Sequence, residues 1–234
     1  MQVKQFRYSQ DNLAYLLYGK NEALAIDGGA TKSIINFLND NNLKLKYVTN
    51  THSHFDHTTG NDILISETNA QFIDVNDLIE KKYLNLENEK ISIIHTPGHT
   101  TDSICFHIDN ILISGDTLFN GTIGNCFTGN ASEFVDSLEK LTILSHDTII
   151  YAGHDYIYES MGFAKKIDPN NEEIDKFLNA YNENNVCSLL KEELMINPFL
   201  RLDSNLIINL LKQNNLSVES RPKRLVSLKT LEIW

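Results

Sequence analysis

The 234-residue sequence is poor in cysteine (three), proline (four) and tryptophan (one), and its 20 basic residues are outnumbered by 31 acidic ones. Each shortage excludes something. Cys105, Cys126 and Cys187 are odd in number and show no metal-type spacing, which agrees with a reducing compartment. A formal net charge of −11 disfavours nucleic acid or an anionic membrane as the primary partner. No apolar run approaches the roughly 18–20 residues of a membrane span, and the start, Met1 to Phe6, lacks a signal peptide's apolar stretch, so a cytoplasmic protein is expected. Internal repeats and low-complexity tails are also missing. What remains is a chain with 41% hydrophobic residues, long enough for one α/β sandwich of roughly 160 residues plus a small appendage.

The densest chemical signal is Thr51-His52-Ser53-His54-Phe55-Asp56-His57, four potential metal ligands within six residues. The stretch before it, Leu45 to Thr51, reads as a buried strand, which places His52 and His54 on one face of its extended end. A chain turning out of that strand can point Asp56 and His57 at a second ion. Imidazole plus carboxylate suits zinc, iron or manganese, and the absence of thiolate argues against a closed structural zinc site. Three more candidates each follow an apolar run: His99 in Thr96-Pro97-Gly98-His99, Asp116 in Ser114-Gly115-Asp116-Thr117, and His154 in Tyr151-Ala152-Gly153-His154. Ligands at strand ends are held by a rigid sheet. His95, His107 and His146 fall outside this pattern and read as structural or exposed. Cys105 reads as core.

Strands are expected at Val3–Tyr8, Leu13–Tyr18 and Ala23–Asp27, then a helix at Thr31–Asn41. The second half repeats the theme, with strands Ile91–Thr96, Ser103–Ile108, Ile111–Ser114 and Thr148–Ala152 and an amphipathic helix Ser132–Leu144. Past His154 the periods are helical, with a capped start at Asn170-Asn171-Glu172-Glu173 and no strong strand. The late basic residues Arg221, Lys223, Arg224 and Lys229 form either a patch for an anionic substrate or a solvated helix face.

The histidine motif, with His99, Asp116 and His154 in order behind it, resembles the signature of the metallo-β-lactamase superfamily. The resemblance implies an αββα sandwich, here residues 1–157, followed by a small helical C-terminal domain, 158–234. It assigns His52, His54 and His99 to one metal and Asp56, His57 and His154 to a second, with Asp116 bridging. Two divalent ions about 3.5–4 Å apart, zinc first among zinc, iron and manganese, would share a water and lower its pKa towards roughly 7. Asp56 and Asp116 are then the catalytic carboxylates as well as ligands. Asp27, in Ala25-Ile26-Asp27-Gly28-Gly29, resembles the family's early strand-end aspartate and is expected either to orient the histidine loop or to serve as a simple turn.

Within the superfamily, Gly115-Asp116-Thr117-Leu118-Phe119, Gly153-His154-Asp155-Tyr156 and Ile196-Asn197-Pro198-Phe199-Leu200-Arg201 are similar to glyoxalase II, the hydroxyacylglutathione hydrolases. That implies hydrolysis of S-D-lactoylglutathione to D-lactate and glutathione by a metal-bridging hydroxide. Tyr156 matches a glutathione-contacting tyrosine of the family, and Lys229 a basic residue of its C-terminal helix. The pattern is departed from at Asn125 and Phe127, where the family carries a basic residue and a tyrosine, and at Glu232, where another basic residue is expected. Weaker hold on glutathione, or another thiol carrier, follows from those departures. Two further readings stand beside the hydrolase: a persulfide dioxygenase with a single iron, and a metal-binding protein without catalysis. Residues cannot decide the oligomeric state.

Overall fold

The computed structural model describes residues 1–232; the last two positions of the expected helical unit lie outside the described residues. Strands β1 (Gln2–Tyr8), β2 (Asn12–Tyr18) and β3 (Glu22–Ile26) form an antiparallel meander, and helix α1 (Thr31–Asp40) crosses to β4 (Lys44–Thr49), parallel to β3. Helices α2 (Phe55–Thr58) and α3 (Asn61–Thr68) lead to a short parallel strand β5 (Gln71–Phe72), completing a sheet ordered β1-β2-β3-β4-β5. Helix α4 (Val75–Lys81) connects to the second sheet. There β6 (Tyr83–Leu86), β7 (Glu89–His95), β8 (Ile104–Ile108) and β9 (Ile111–Gly115) run antiparallel, and α5 (Ala131–Thr142) crosses to β10 (Ile149–Ala152), parallel to β9. The tail comprises α6 (Ile157–Ile167), α7 (Glu172–Ala180), β11 (Ser188–Leu189), α8 (Leu190–Ile196), a 3-10 turn at Pro198–Leu200, α9 (Asn205–Gln213) and α10 (Arg221–Lys229).

Period-two alternation builds the layers. Along β2, Leu13, Tyr15 and Leu17 point inward to the core between the sheets, against Ile93, Phe106 and Ile113 of the second sheet. The alternate residues Ala14 and Leu16 point outward, where α1 and α3 cover them with Ile34, Leu38 and Leu64. On the far side Leu112 and Ile150 meet Phe134, Leu138 and Leu141 of α5, and the same cluster continues into Phe163, Phe199 and Leu225 of the tail. The result is the αββα sandwich of the metallo-β-lactamase fold with a helical C-terminal part packed on one outer layer. No helix among the described residues is long and apolar enough to cross a membrane.

Two features differ from expectation. The segment 61–86, in which no element was expected, carries α3, β5, α4 and β6. Its pattern is weak because β5 is exposed at both positions and α3 buries Leu64 alone. Helix α4 is fixed instead by its cap, Asp74 accepting from Asn76 N at 2.8 Å. The tail also holds a strand: Ser188–Leu189 pairs antiparallel with β10 and so stitches the helical part to the second sheet.

Candidate metal centre

The parallel pairs β3 with β4 and β9 with β10 end at one rim of the sandwich, and the seven candidate ligands gather there. Strand β4 ends at Thr49, so His52 and His54 sit in the loop beyond it. That loop is anchored by Asp27, which takes up a left-handed φ of 54° at the end of β3. Asp27 accepts from Thr51 N and Thr51 Oγ1, both at 2.8 Å, and from His57 Nδ1 at 3.0 Å. It is therefore an orienting residue and not merely a turn. His54 precedes the single turn of α2, which presents Asp56 and His57.

The ring nitrogens tell what the centre is built for. His57 Nδ1 donates to Asp27, His154 Nδ1 lies 3.0 Å from Asp11 Oδ1, and His99 Nδ1 lies 3.0 Å from the Asn125 carbonyl oxygen. Each acceptor claims the Nδ1 proton, so each Nε2 turns a lone pair inward. Those lone pairs face other acceptors: His57 Nε2 is 3.2 Å from His154 Nε2, and His99 Nε2 is 3.4 Å from Asp116 Oδ2. Lone pairs converging at such distances repel unless a cation lies among them, a metal ion or a proton. Burial disfavours the proton on His57 and His154, but Asp27 and Asp116 outweigh it at His57 and Asp116 and Asp11 at His154, so both imidazoles attract positive charge. His52 Nε2 and Asp116 Oδ1 are buried without a hydrogen-bond partner among the described residues, although Asp116 Oδ1 lies 3.3 Å from His57 Nε2. Carboxylates outnumber any internal cation here, with Asp11, Asp27, Asp56 and Asp116 all within reach of the imidazoles.

Three ligand groups have donor atoms within 4.8 Å of one another: His52 with His54 and His99, His52 with His57 and Asp116, and Asp56 with His57 and His154. The first and last match the two sets expected from the sequence. Asp116 stands between them, 3.4 Å from His99 Nε2 and 3.5 Å from His154 Nε2. Burial pushes its carboxyl pKa up, but His57 and His154 outweigh that and hold it well below the usual range. For His52, burial dominates and takes the imidazole down to about 4, which favours the neutral form a metal needs. Space is reserved as well. A Cβ on Gly153 would lie 2.1 Å from Asp116 Oδ1, and one on Gly124 would lie 1.9 Å from Asp116 O. The residues present thus fit a pair of divalent ions.

A cavity of about 430 Å³ opens beside the centre. Tyr156, Asn125 and Lys229, expected as substrate contacts, all line it. The Tyr156 ring stacks on His154, 5.1 Å apart and 5° from parallel. Phe127 does not line this cavity; it is 66% exposed at the mouth, edge-on to His54 at 5.7 Å and to His99 at 5.1 Å. Lys229 Nζ donates to the Ile123 carbonyl at 2.8 Å and pairs with Glu232, whose other oxygen receives the Thr122 hydroxyl. The rest of the late basic group is ion-paired on the surface, Arg221 and Arg224 with Asp203, Lys223 with Glu219. That settles the two readings in favour of a solvated face, with Lys229 alone reaching the cavity. His95, His107 and His146 stay outside the centre, and Cys105 is fully buried with its thiol pushed up to about 11.

Several working residues carried no local signal. Asp11 and Asn12 sit at the β1–β2 turn, where Asp-Asn reads as turn chemistry. In the fold Asp11 orients His154, while Asn12 Nδ2 donates to Asp56 Oδ2 at 3.0 Å. Glu193 on α8 is fully buried and receives Gly121 N on both oxygens, at 3.1 and 2.9 Å. Asn197 Nδ2 donates to Glu193 at 2.8 Å and to the Thr122 carbonyl at 3.0 Å, so the Asn-Pro-Phe sequence straps down the loop that leads from Asp116 to Asn125.

Such a fold, with seven candidate histidine and aspartate ligands at its rim, has the makings of a metallohydrolase-type centre, and comparison with known proteins agrees. The metallo-β-lactamase superfamily model matches residues 10–73 and 73–154, and the model "Hydroxyacylglutathione hydrolase C-terminus" matches 155–231. The chain is 34% identical over 236 residues to a hydroxyacylglutathione hydrolase of Pseudoalteromonas translucida, covering 93% of this chain and 92% of that one. It is 36% identical over 222 residues to one of Pelagibacter ubique, covering 86% and 93%. Among solved structures, the ETHE1 protein of Myxococcus xanthus superposes with a TM-score of 0.70 at 22% identity over 100% of this chain and 92% of that one, a likeness of fold. The chain belongs to the hydroxyacylglutathione hydrolase family of the metallo-β-lactamase superfamily.

Proposed function

We propose that this protein hydrolyses a glutathione thioester, with S-D-lactoylglutathione as the substrate and D-lactate and glutathione as products. The observation that carries the reading is the convergence of inward-turned imidazole nitrogens on the buried Asp116, at the end of a cavity walled by Tyr156 and Asn125. His52, His54 and His99 would hold one divalent ion and Asp56, His57 and His154 a second, with Asp116 available to both; zinc is the first choice, iron and manganese being compatible with the same donors. Such ions supply an activated water and a Lewis acid for the thioester carbonyl. The chain's own residues do the rest. Asp27, Asp11 and the Asn125 carbonyl lock the imidazoles in the tautomer that presents Nε2. Tyr156, stacked on His154, forms the floor on which the thioester can lie close to the ligands. The oxygen of water bonds to the acyl carbon, and the carbon–sulfur bond breaks with its electron pair leaving on sulfur. Of the two water protons one goes to solvent, leaving the carboxylate, and one to the departing thiolate, giving glutathione; a thiolate is a good leaving group and needs no strong general acid. The match over 155–231 favours this hydrolase reading over a dioxygenase. A reducing cytoplasm suits both the free thiols and a glutathione-borne substrate.

The test is hydrolysis of S-D-lactoylglutathione by protein whose metal content has been measured. Turnover that follows occupancy of two metals per chain is expected; metal-loaded protein that binds two ions yet leaves the thioester intact would return it to the non-catalytic reading.

A further inference from the structure

The cavity has two walls of unlike charge chemistry. One is the loop after Asp116 together with α10, and its cation, Lys229, is already committed: its ammonium donates to the Ile123 carbonyl, pairs with Glu232, and lies 4.8 Å above the Phe199 ring. That wall is neutral in sum. A second wall is made by the end of β1 with the turn after it and by the start of α6, and its charged groups are Arg7, Asp11, Asp155 and Glu159, of which Asp11 is engaged by His154 and Asp155 by Arg7. Arg7 is 33% exposed along its side chain, and the bonds that hold it, to Asp155 and to the Glu183 carbonyl, leave from Nη2. Asp155 also accepts from the Tyr181 hydroxyl at 2.6 Å, so the carboxylate that braces the guanidinium is itself held, and the bonds from Arg7 to Asp155 and Glu183 use Nη2 alone. Glu159 is exposed and forms no ion pair with a described residue. An accessible guanidinium and an accessible carboxylate on one cavity wall match a zwitterion that carries a carboxylate and an ammonium on one carbon.

We propose that Arg7 and Glu159 form a subsite for the α-amino-acid head of the thiol carrier, the free carboxylate and ammonium of its γ-glutamyl residue. The proposal rests on the hydrolase reading above. It makes the β1–α6 wall, which binds no metal, the part of the molecule that selects the carrier. Arg7 receives the carboxylate through its unused fork, and Glu159 receives the ammonium. The neutral wall around Lys229 and Asn125 faces the other end of the carrier.

Two thioesters separate the possibilities: S-D-lactoylglutathione, and S-D-lactoyl-N-acetylcysteinylglycine, which keeps the acyl group, the thioester and the glycine carboxylate but lacks the γ-glutamyl head. The wild-type protein is expected to favour the glutathione ester in kcat/KM by about a hundredfold, about tenfold for each of the two charge-assisted contacts. Arg7→Gln and Glu159→Gln should each lower that ratio about tenfold, the double variant should bring it close to one, and Arg7→Lys should lose less than Arg7→Gln. Glu159 is exposed, so its variant decides the matter should Arg7→Gln fail to fold without its bond to Asp155. A wild-type ratio near one, or a ratio in both Gln variants that stays at the wild-type value, overturns the subsite while leaving the hydrolase intact. Hydrolysis of neither ester by metal-loaded wild type overturns the hydrolase reading itself, and the subsite with it.

Discussion

The two sides of the cavity are held in place by different means. On the metal side, rigidity comes from short connections at strand ends, where Asp27, one residue past β3, grips both Thr51 and His57. On the side of the loop after Asp116, rigidity is imported from the tail, through Glu193 on Gly121 and Asn197 on Thr122. The first arrangement places ligand atoms to within the tolerance a metal demands. The second sets the shape of a pocket, where small displacements matter for binding and little for coordination. Metal chemistry and carrier selection are therefore separable in this molecule, and mutations should divide accordingly.

The largest separation is expected from Asp116→Ala. Losing the carboxylate shared by both ligand groups should lower kcat for S-D-lactoylglutathione on the order of 10³-fold and reduce bound metal, with the far-ultraviolet circular dichroism preserved. Gly153→Ala should mimic it in part, because the added methyl would displace Asp116 Oδ1. A variant at either position with full metal content and full turnover would break the proposed division. Next comes Asp11→Asn, which keeps the shape at the β1–β2 turn but weakens the hold on His154; metal affinity or turnover should drop roughly 10–100-fold, as read by competition with a chelator.

On the other side, Asn197→Ala removes one donor from Glu193, which keeps Gly121 N, and one from the Thr122 carbonyl, which keeps Phe119 N; losing the two hydrogen bonds should cost about 2 kcal/mol in chemical denaturation. Metal stoichiometry should be unchanged while KM rises, the reverse of the Asp11 result. Glu193 adds a pH signature. Burial holds its carboxyl up at about 7, above its ordinary 4.5. A folded state that binds the proton more tightly than the unfolded one is favoured at low pH, so this contribution is intact below about 4.5 and is lost as pH rises through about 7. Melting temperature should fall across that window, and Glu193→Gln should flatten the fall; an unaltered slope would remove Glu193 from the account. The smallest effect belongs to Lys223→Ala, whose pair with Glu219 is exposed and screened by solvent; the denaturation midpoint should be indistinguishable from that of the wild type.

The difference between the two sides also explains what could be read without coordinates. His52, His54, Asp56 and His57 announce themselves because four ligand types crowd into one turn of chain, and His99, Asp116 and His154 because each ends an apolar run. The strands β2, β7 and β8 were legible as short apolar runs and α1 and α5 as amphipathic helices, and the sandwich they build followed from the family resemblance. Asp11, Asn12 and Arg7 were not, since their partners, His154, Asp56 and Asp155, lie 143, 44 and 148 residues away. Glu193 looked like one more acid on a helix, and the segment 61–86 gave too weak a period to mark its elements. Phe127 was expected on the cavity wall as a replaced tyrosine, yet its ring lies against His54 and His99 at the mouth.

By itself, then, the sequence determined the family, with the layer order that the family implies, and singled out seven candidate ligands, because motifs and ligand spacing are properties of neighbouring residues and survive without a third dimension. Tertiary structure alone decided which carboxylate turns each imidazole, that Glu232 silences Lys229, and that an accessible Arg7 and Glu159 share a wall. Those are relations between residues far apart in the chain, and only packing of the two sheets and the tail sets the distances on which hydrogen bonds and charge pairs depend.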